Sequence, residues 1–191
     1  MSNTYMIFRV IFFFLFTKRR RLPFAHMDDL YLQYNLPHII NSLAIGLGKL
    51  SKTNDLTEDM SPDCFVGDNI PDIPLLEYVT RCGAYFNCSS SCFVVTCMYI
   101  DRLRSYNDHL VIHSHNVHRI FLTALVLACK YVDDRVYTNR YYARCGGLTL
   151  QILNESEILF LEMFHFDLGV EIEMFEMYTR NMTKKRKIYR G

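Results

Sequence analysis

The run Ile120-Phe121-Leu122-Thr123-Ala124-Leu125-Val126-Leu127-Ala128-Cys129 leaves almost no polar side however it is coiled. Neither Gly nor Pro interrupts it, and the surrounding stretch reads as one helix from Ser114 or Asn116 to Val132. A helix that is hydrophobic all round must be enclosed by others. The chain is therefore expected to be an all-α bundle with this helix at its centre.

The flanking segments supply the enclosing walls. Leu32, Leu36, Ile39, Ile40, Leu43 and Leu47 recur at helical spacing over residues 28–50, with Pro37 expected to break the helix softly. Residues 51–74 collect Ser, Thr, Asn, Asp, Gly and Pro with little periodicity and read as a long connector. A helix then carries Leu75, Leu76, Val79, Cys82 and Tyr85 on one face, closing at Asn87 and Cys88. Ser89 is placed to cap the next helix through its hydroxyl, ahead of Phe93, Val94, Cys97, Met98 and Ile100. Beyond the central helix, residues 139–145 fit a short helix stopped by Gly146 and Gly147. Residues 149–165 fit a longer one, with Ile152, Leu153, Ile158, Leu159, Leu161, Met163 and Phe164 inward, and residues 173–182 a last amphipathic segment.

Size and composition agree with one bundle. At 191 residues there is room for a single sizeable core but not for two ordinary domains with linkers. Half of the residues are apolar and the formal net charge is +1, which points away from disorder and from wholesale polyanion binding. Seven cysteines, an odd number, with Cys82, Cys97 and Cys129 inside apolar stretches, read as reduced thiols in an intracellular protein of the nucleus or cytoplasm. Residues 5–16 are apolar but include Arg9 and fall short of the roughly 20 residues of a membrane span. The basic residues 18–21 follow that run instead of preceding it, unlike a secretory signal, so residues 1–26 read as a disordered extension and no membrane association is expected.

Two charges stand out against the apolar background. Asp101, in Tyr-Ile-Asp-Arg-Leu, falls at the end of an apolar helix, where a buried carboxylate needs a cation. Arg81 on the preceding helix is the natural partner, and the two are expected to form a structural ion pair. Lys130 interrupts the run Leu127-Ala128-Cys129 before Tyr131-Val132. On residue grounds it either snorkels along its stem to solvent or faces a partner.

Read in order, several strings carry a resemblance. They are Asn87-Cys88-Ser89-Ser90-Ser91-Cys92-Phe93, Tyr99-Ile100-Asp101-Arg102-Leu103, Asn116-Val117-His118-Arg119, Ala128-Cys129-Lys130-Tyr131-Val132-Asp133-Asp134, Asn139-Arg140-Tyr141-Tyr142-Ala143 and Gly146-Gly147. At this spacing they resemble the cyclin box of P/U-type cyclins, the phosphate-regulatory group, over roughly residues 70–170. The resemblance implies a single five-helix box at residues 71–170, preceded by an N-terminal helix and connector at 27–70 and followed by a short helix and basic tail at 171–191.

It also implies a function. A cyclin does no chemistry of its own; it binds a cyclin-dependent protein kinase, in cell-cycle or nutrient and phosphate signalling, and favours the conformation in which the regulatory helix is swung in. Two polar residues anchor that contact. By position in the motif the lysine is Lys130, and the glutamate, counted back from Phe166-Asp167-Leu168, is Glu157, with Glu155 as the second candidate. Mitotic-type cyclins carry a Met-Arg-Ala-Ile-Leu motif whose groove docks substrate peptides. Here that stretch is Thr80-Arg81-Cys82-Gly83-Ala84; only the arginine fits, and the docking groove is not carried over.

Other function classes find less support. Cys88, Cys92 and Cys97 together with His109, His113, His115 and His118 offer only fragments of zinc-ligand spacing, so no metal or other cofactor is expected. Nucleophile elbow, phosphate loop and metalloprotease signatures are missing, so no enzymatic activity is expected. The rival is a cyclin-fold adaptor of the transcription-factor or pocket-protein kind, binding DNA or peptides. It would need a basic face, whereas positive charge concentrates at residues 18–21 and 184–190, outside the box.

Overall fold

The computed structural model describes residues 29–55 and 65–184. The extension at residues 1–26, the middle of the connector and most of the basic tail lie outside the described residues. Within them the chain forms seven α-helices and no strand: α1 (Asp29–Asn54), α2 (Leu75–Phe86), α3 (Ser90–Tyr106), α4 (Val117–Val132), α5 (Asn139–Gly146), α6 (Leu150–Met163) and α7 (Ile172–Thr183). No described helix is long and apolar enough to cross a membrane.

The all-round apolar helix is α4, and from Ile120 to Cys129 every residue is buried. It packs against α1, α2, α3 and α6, as its lack of a polar side requires. Helix α5 closes one end of the bundle against α2 and α6, while α7 lies across α1 and α3.

Pro37 does not break α1, which continues as one helix through Asn54. A proline removes one main-chain hydrogen bond, but Leu32, Ile39, Ile40, Leu43, Ala44 and Leu47 on both sides of it are all buried along the same stripe. Tertiary packing of that stripe offsets the loss. At the helix end, Asn54 Nδ2 donates to the Ile112 carbonyl at 3.0 Å, and Asp55, the next residue, accepts from the Ser114 main-chain N–H and hydroxyl at 2.8 and 2.9 Å.

Several helix ends are set by plain local chemistry. Thr138 and Thr149 cap α5 and α6 by accepting from Tyr141 N and Ile152 N. Asn87 takes the left-handed conformation after α2, and Gly147, at φ +74°, does so after α5. Ser89 holds the N-cap position of α3, but its hydroxyl does not cap. It lies 3.4 Å from Cys92 Sγ, while its main-chain N–H donates to Asp133 Oδ2 at 3.1 Å.

Buried polar groups tie the helices together. Tyr78 on α2 donates to the Gly146 carbonyl at 2.8 Å, and Tyr99 on α3 donates to the Leu168 carbonyl at 3.0 Å. Phe160 is the fully buried centre of α6, whereas Ile158 and Leu159, expected inward, are only half-buried.

Candidate functional site

Lys130 is in the last turn of α4, where that helix emerges from the core. The residues before it are sealed in, and its own side chain keeps 24 % exposure. Its stem therefore follows the helix outward, and the ammonium meets a carboxylate instead of open water. That carboxylate is Glu157 of α6, at 2.6 Å through Oε1 and 2.8 Å through Oε2.

Glu157 lies on the inner side of α6 with Leu153, Ser156, Phe160 and Leu161, and its side chain is only 5 % exposed. A carboxylate so enclosed needs donors to offset lost hydration. Besides Lys130 it accepts from Asn139 Nδ2 on the first turn of α5. Asn139 is held in turn by Asn154 Oδ1, one turn earlier on α6, at 2.8 Å. Three helices thus converge on one charge pair: α4 brings the cation, α6 the anion, and α5 an amide that orients it.

Of three N–H donors on the ammonium, two go to Glu157. The third has no acceptor among the described residues. Glu155, the second candidate, is exposed and accepts from Gln151 Nε2 at 2.9 Å on its own helix, away from this cluster. The loop between α4 and α5 presents Val136 and Tyr137 at 45 and 43 % exposure. Tyr137 stacks on Tyr141 at 4.3 Å between ring centroids, and the Tyr141 hydroxyl donates to the Tyr85 carbonyl at 2.8 Å. A part-exposed cation, on a molecule that also presents aromatic and aliphatic side chains in the loop following its helix, is suited to docking a protein.

The ion pair expected between Arg81 and Asp101 is not made. Asp101 is on the outer side of α3, its side chain 47 % exposed, and its carboxylate accepts from Tyr178 Oη of α7 at 2.9 Å and faces Arg104 at 3.7 Å. The Arg81 guanidinium lies 6.0 Å from the centre of the Tyr85 ring, one turn along its own helix. The physical reason is helical phase: Tyr99, Ile100 and Leu103 take the buried side of α3, which turns Asp101 outward, so no buried cation is required. The neighbouring Arg102 is the structural charge instead. It donates to the Asp167 and Gly169 carbonyls at 2.7 and 2.6 Å, pinning the turn after α6 to α3.

Asn139 and Thr138, which orient and cap around Glu157, were not singled out for a role by the sequence. The signal available was Thr138 preceding a short helix as an N-cap.

Comparison with known proteins agrees with this architecture. The family model described as Cyclin matches residues 46–168, from within α1 to just past α6. The chain is 36 % identical to Cyclin-U4-1 of Arabidopsis thaliana over 166 residues, covering 84 % of this chain and 81 % of that one. It is 35 % identical to Cyclin-U4-3 of the same plant over 144 residues, covering 75 % of this chain and 66 % of that one. Cyclin-P4-1 of Oryza sativa subsp. japonica is 34 % identical over 151 residues, 75 % and 71 % of the respective chains. A family model matching well over half of the chain, relatives of the U and P types along most of its length, and a bundle built around a fully buried helix lead to one conclusion: the chain belongs to the cyclin family.

Proposed function

We propose that this cyclin binds and activates a cyclin-dependent protein kinase through the surface around Lys130 and Glu157. The observation that carries the reading is the ion pair itself: a lysine in the last turn of α4, 24 % exposed, held by a nearly buried glutamate of α6. Held this way, Lys130 loses little further side-chain freedom when a partner's main-chain carbonyl accepts from it, which favours binding. Glu157 acts chiefly as its holder and can accept one further hydrogen bond from the partner. The exposed Val136 and Tyr137, in the loop that joins α4 to α5, supply contact area.

The mechanism is a population shift. The cyclin surface is complementary to the kinase's regulatory helix in its inward position, so binding favours the state in which the kinase's own lysine–glutamate pair forms and its phosphate-binding groups align. Regulatory interfaces of this kind often bury about 2,000 Å² or more, with a few anchors dominating.

The test is affinity purification from native cells with two baits, wild type and the Lys130→Ala/Glu157→Ala double variant. Selective loss of a kinase from the variant, with native circular dichroism, is the expected result; equal recovery of the kinase by both baits would defeat the assignment. Retention on DNA at moderate salt, absent kinase recovery, would instead favour the adaptor reading.

A further inference from the structure

A second group of side chains converges on one point, and the kinase-binding surface does not use it. Cys88 precedes the N-cap of α3, Cys92 is in the first turn of that helix, and Cys129 is in the last turn of α4. Their three Sγ atoms lie within 4.8 Å of one another. Cys92 and Cys129 are buried, and Cys88 is half-buried. A fourth donor adjoins them: Asp133 Oδ2 accepts from Cys92 Sγ at 3.3 Å and is itself fixed by the Ser89 main-chain N–H at 3.1 Å.

Each thiol taken alone is an ordinary small core residue. Core packing does not explain why three sulfurs meet, nor why a carboxylate closes the group. A disulfide would engage only two of the sulfurs, at about 2.0 Å, and leave the third thiol without a role and Asp133 with the Ser89 N–H as its structural partner. A tetrahedral cation uses all four. With metal–sulfur bonds of about 2.3 Å, ligand sulfurs stand roughly 3.8 Å apart, and a carboxylate oxygen about 3.5 Å from a sulfur. The observed 3.3 Å from Asp133 to Cys92 fits that edge, and the sulfurs need to close by about 1 Å at most; the Asp133 carboxylate stands outside the group of three and has to turn toward the other two sulfurs to complete the set.

We propose that Cys88, Cys92, Cys129 and Asp133 form a structural zinc site. Three thiolates with one carboxylate oxygen suit zinc better than copper(I), which prefers sulfur alone, or magnesium and calcium, which prefer oxygen. Each ligating thiol gives its proton to solvent as the metal enters. With four protein ligands the site is closed, so its effect is to clamp the α2–α3 junction to the end of α4. Cys129 adjoins Lys130, so the clamp stiffens the turn from which Lys130 projects.

Ligand spacing in the sequence did not suggest this set, because Cys129 and Asp133 lie at the end of α4 and Cys88 and Cys92 at the start of α3. Cys97 and the four histidines considered for zinc do not belong to it.

The test uses the full chain, purified anaerobically under reductant and stripped with chelator. Cobalt(II) is then titrated in as a spectroscopic stand-in, and zinc retained after desalting is measured by elemental mass spectrometry. One zinc per chain and the visible bands of tetrahedral thiolate cobalt are expected. Cys88→Ser and Asp133→Asn should each weaken binding at least about tenfold, the least expected where a direct ligand is lost. Cys97→Ser should leave it unchanged. Cys88 is only half-buried, so its serine variant is expected to fold, and circular dichroism checks this. If Cys88→Ser does unfold, the wild-type titration with Asp133→Asn decides. No cobalt bands and no retained zinc with all thiols reduced would overturn the site. So would binding that ignores Cys88 and Asp133, binding of copper(I) alone, or a disulfide joining two of the three cysteines in the protein as isolated.

Discussion

The Lys130 ammonium bridges both carboxylate oxygens of Glu157, yet the two side chains are unequally enclosed, 24 % exposed for the lysine and 5 % for the glutamate. This asymmetry fixes which single substitution is worse. Lys130→Ala strands a nearly buried carboxylate with only Asn139 as donor, and a loss of about 3 kcal/mol is expected. Glu157→Ala leaves an ammonium that can extend into water, so about 1 kcal/mol is expected, discounted for its exposure. The double variant should cost less than the two singles added, because neither charge is then left alone. Urea denaturation of the three proteins measures this, and a glutamate variant weaker than the lysine variant would contradict it.

Asp101 and Arg102 are adjacent on α3 but do different work. Asp101 is half in solvent and meets Tyr178 and Arg104 there, so Asp101→Ala should shift stability by no more than about 1 kcal/mol. Arg102 holds two carbonyls of the turn after α6 and lies 5.8 Å from the Phe164 ring centre. Arg102→Ala should cost about 2 kcal/mol, because two charge-assisted bonds and that stacking are lost together. Thermal melts of the pair decide; an aspartate variant less stable than the arginine variant would reverse the assignment.

What was legible in the residues was whatever periodicity alone determines. The run at residues 120–129 has no polar side, and its central position follows from that without any partner being known. Lys130 was legible as a charge in the wrong place, and Glu157 through family resemblance. That the two touch was not, since the register of α6 against α4 is set by packing of Leu153, Phe160 and Leu161, which a sequence does not display. Asp101 is a different case. Its neighbours Tyr99, Ile100 and Leu103 already marked the inward side of α3, so the helical phase could have excluded a buried carboxylate. The grouping of Cys88 and Cys92 with Cys129 needed the α3–α4 contact itself.

Gly146 is in the last turn of α5 directly over Leu122 of α4. A Cβ there would lie 2.2 Å from Leu122 Cδ2 and 2.7 Å from Cδ1, closer than atoms approach in a packed core. Gly146→Ala should therefore cost about 2 kcal/mol despite alanine's better helix propensity. Shortening the opposing side chain should remove the clash. In a Leu122→Ala background, adding Gly146→Ala should cost about 0.5 kcal/mol or less, and an equal penalty in both backgrounds would show that the glycine matters for another reason.

His118 sits in the first turn of α4 with its ring edge-on to Tyr78, 4.9 Å between centroids. Its Nε2 bonds to the Ile73 carbonyl at 3.1 Å, so that nitrogen carries the proton, and Nδ1 is buried without a partner. Burial pulls the imidazole below its ordinary 6.5, and the Ile73 carbonyl only partly opposes this. The native state thus holds a neutral ring, while the unfolded chain takes up a proton as pH drops through about 6.5. Stability from this residue is complete above that pH and is lost as pH falls through the lower folded value. Glutamine at this position keeps an amide donor for Ile73 but does not titrate. Between pH 7.5 and 5.5, wild type should therefore lose more stability than His118→Gln, read as the change in urea midpoint. Parallel losses in the two proteins would place the acid sensitivity elsewhere, because every other carboxylate and histidine is common to both.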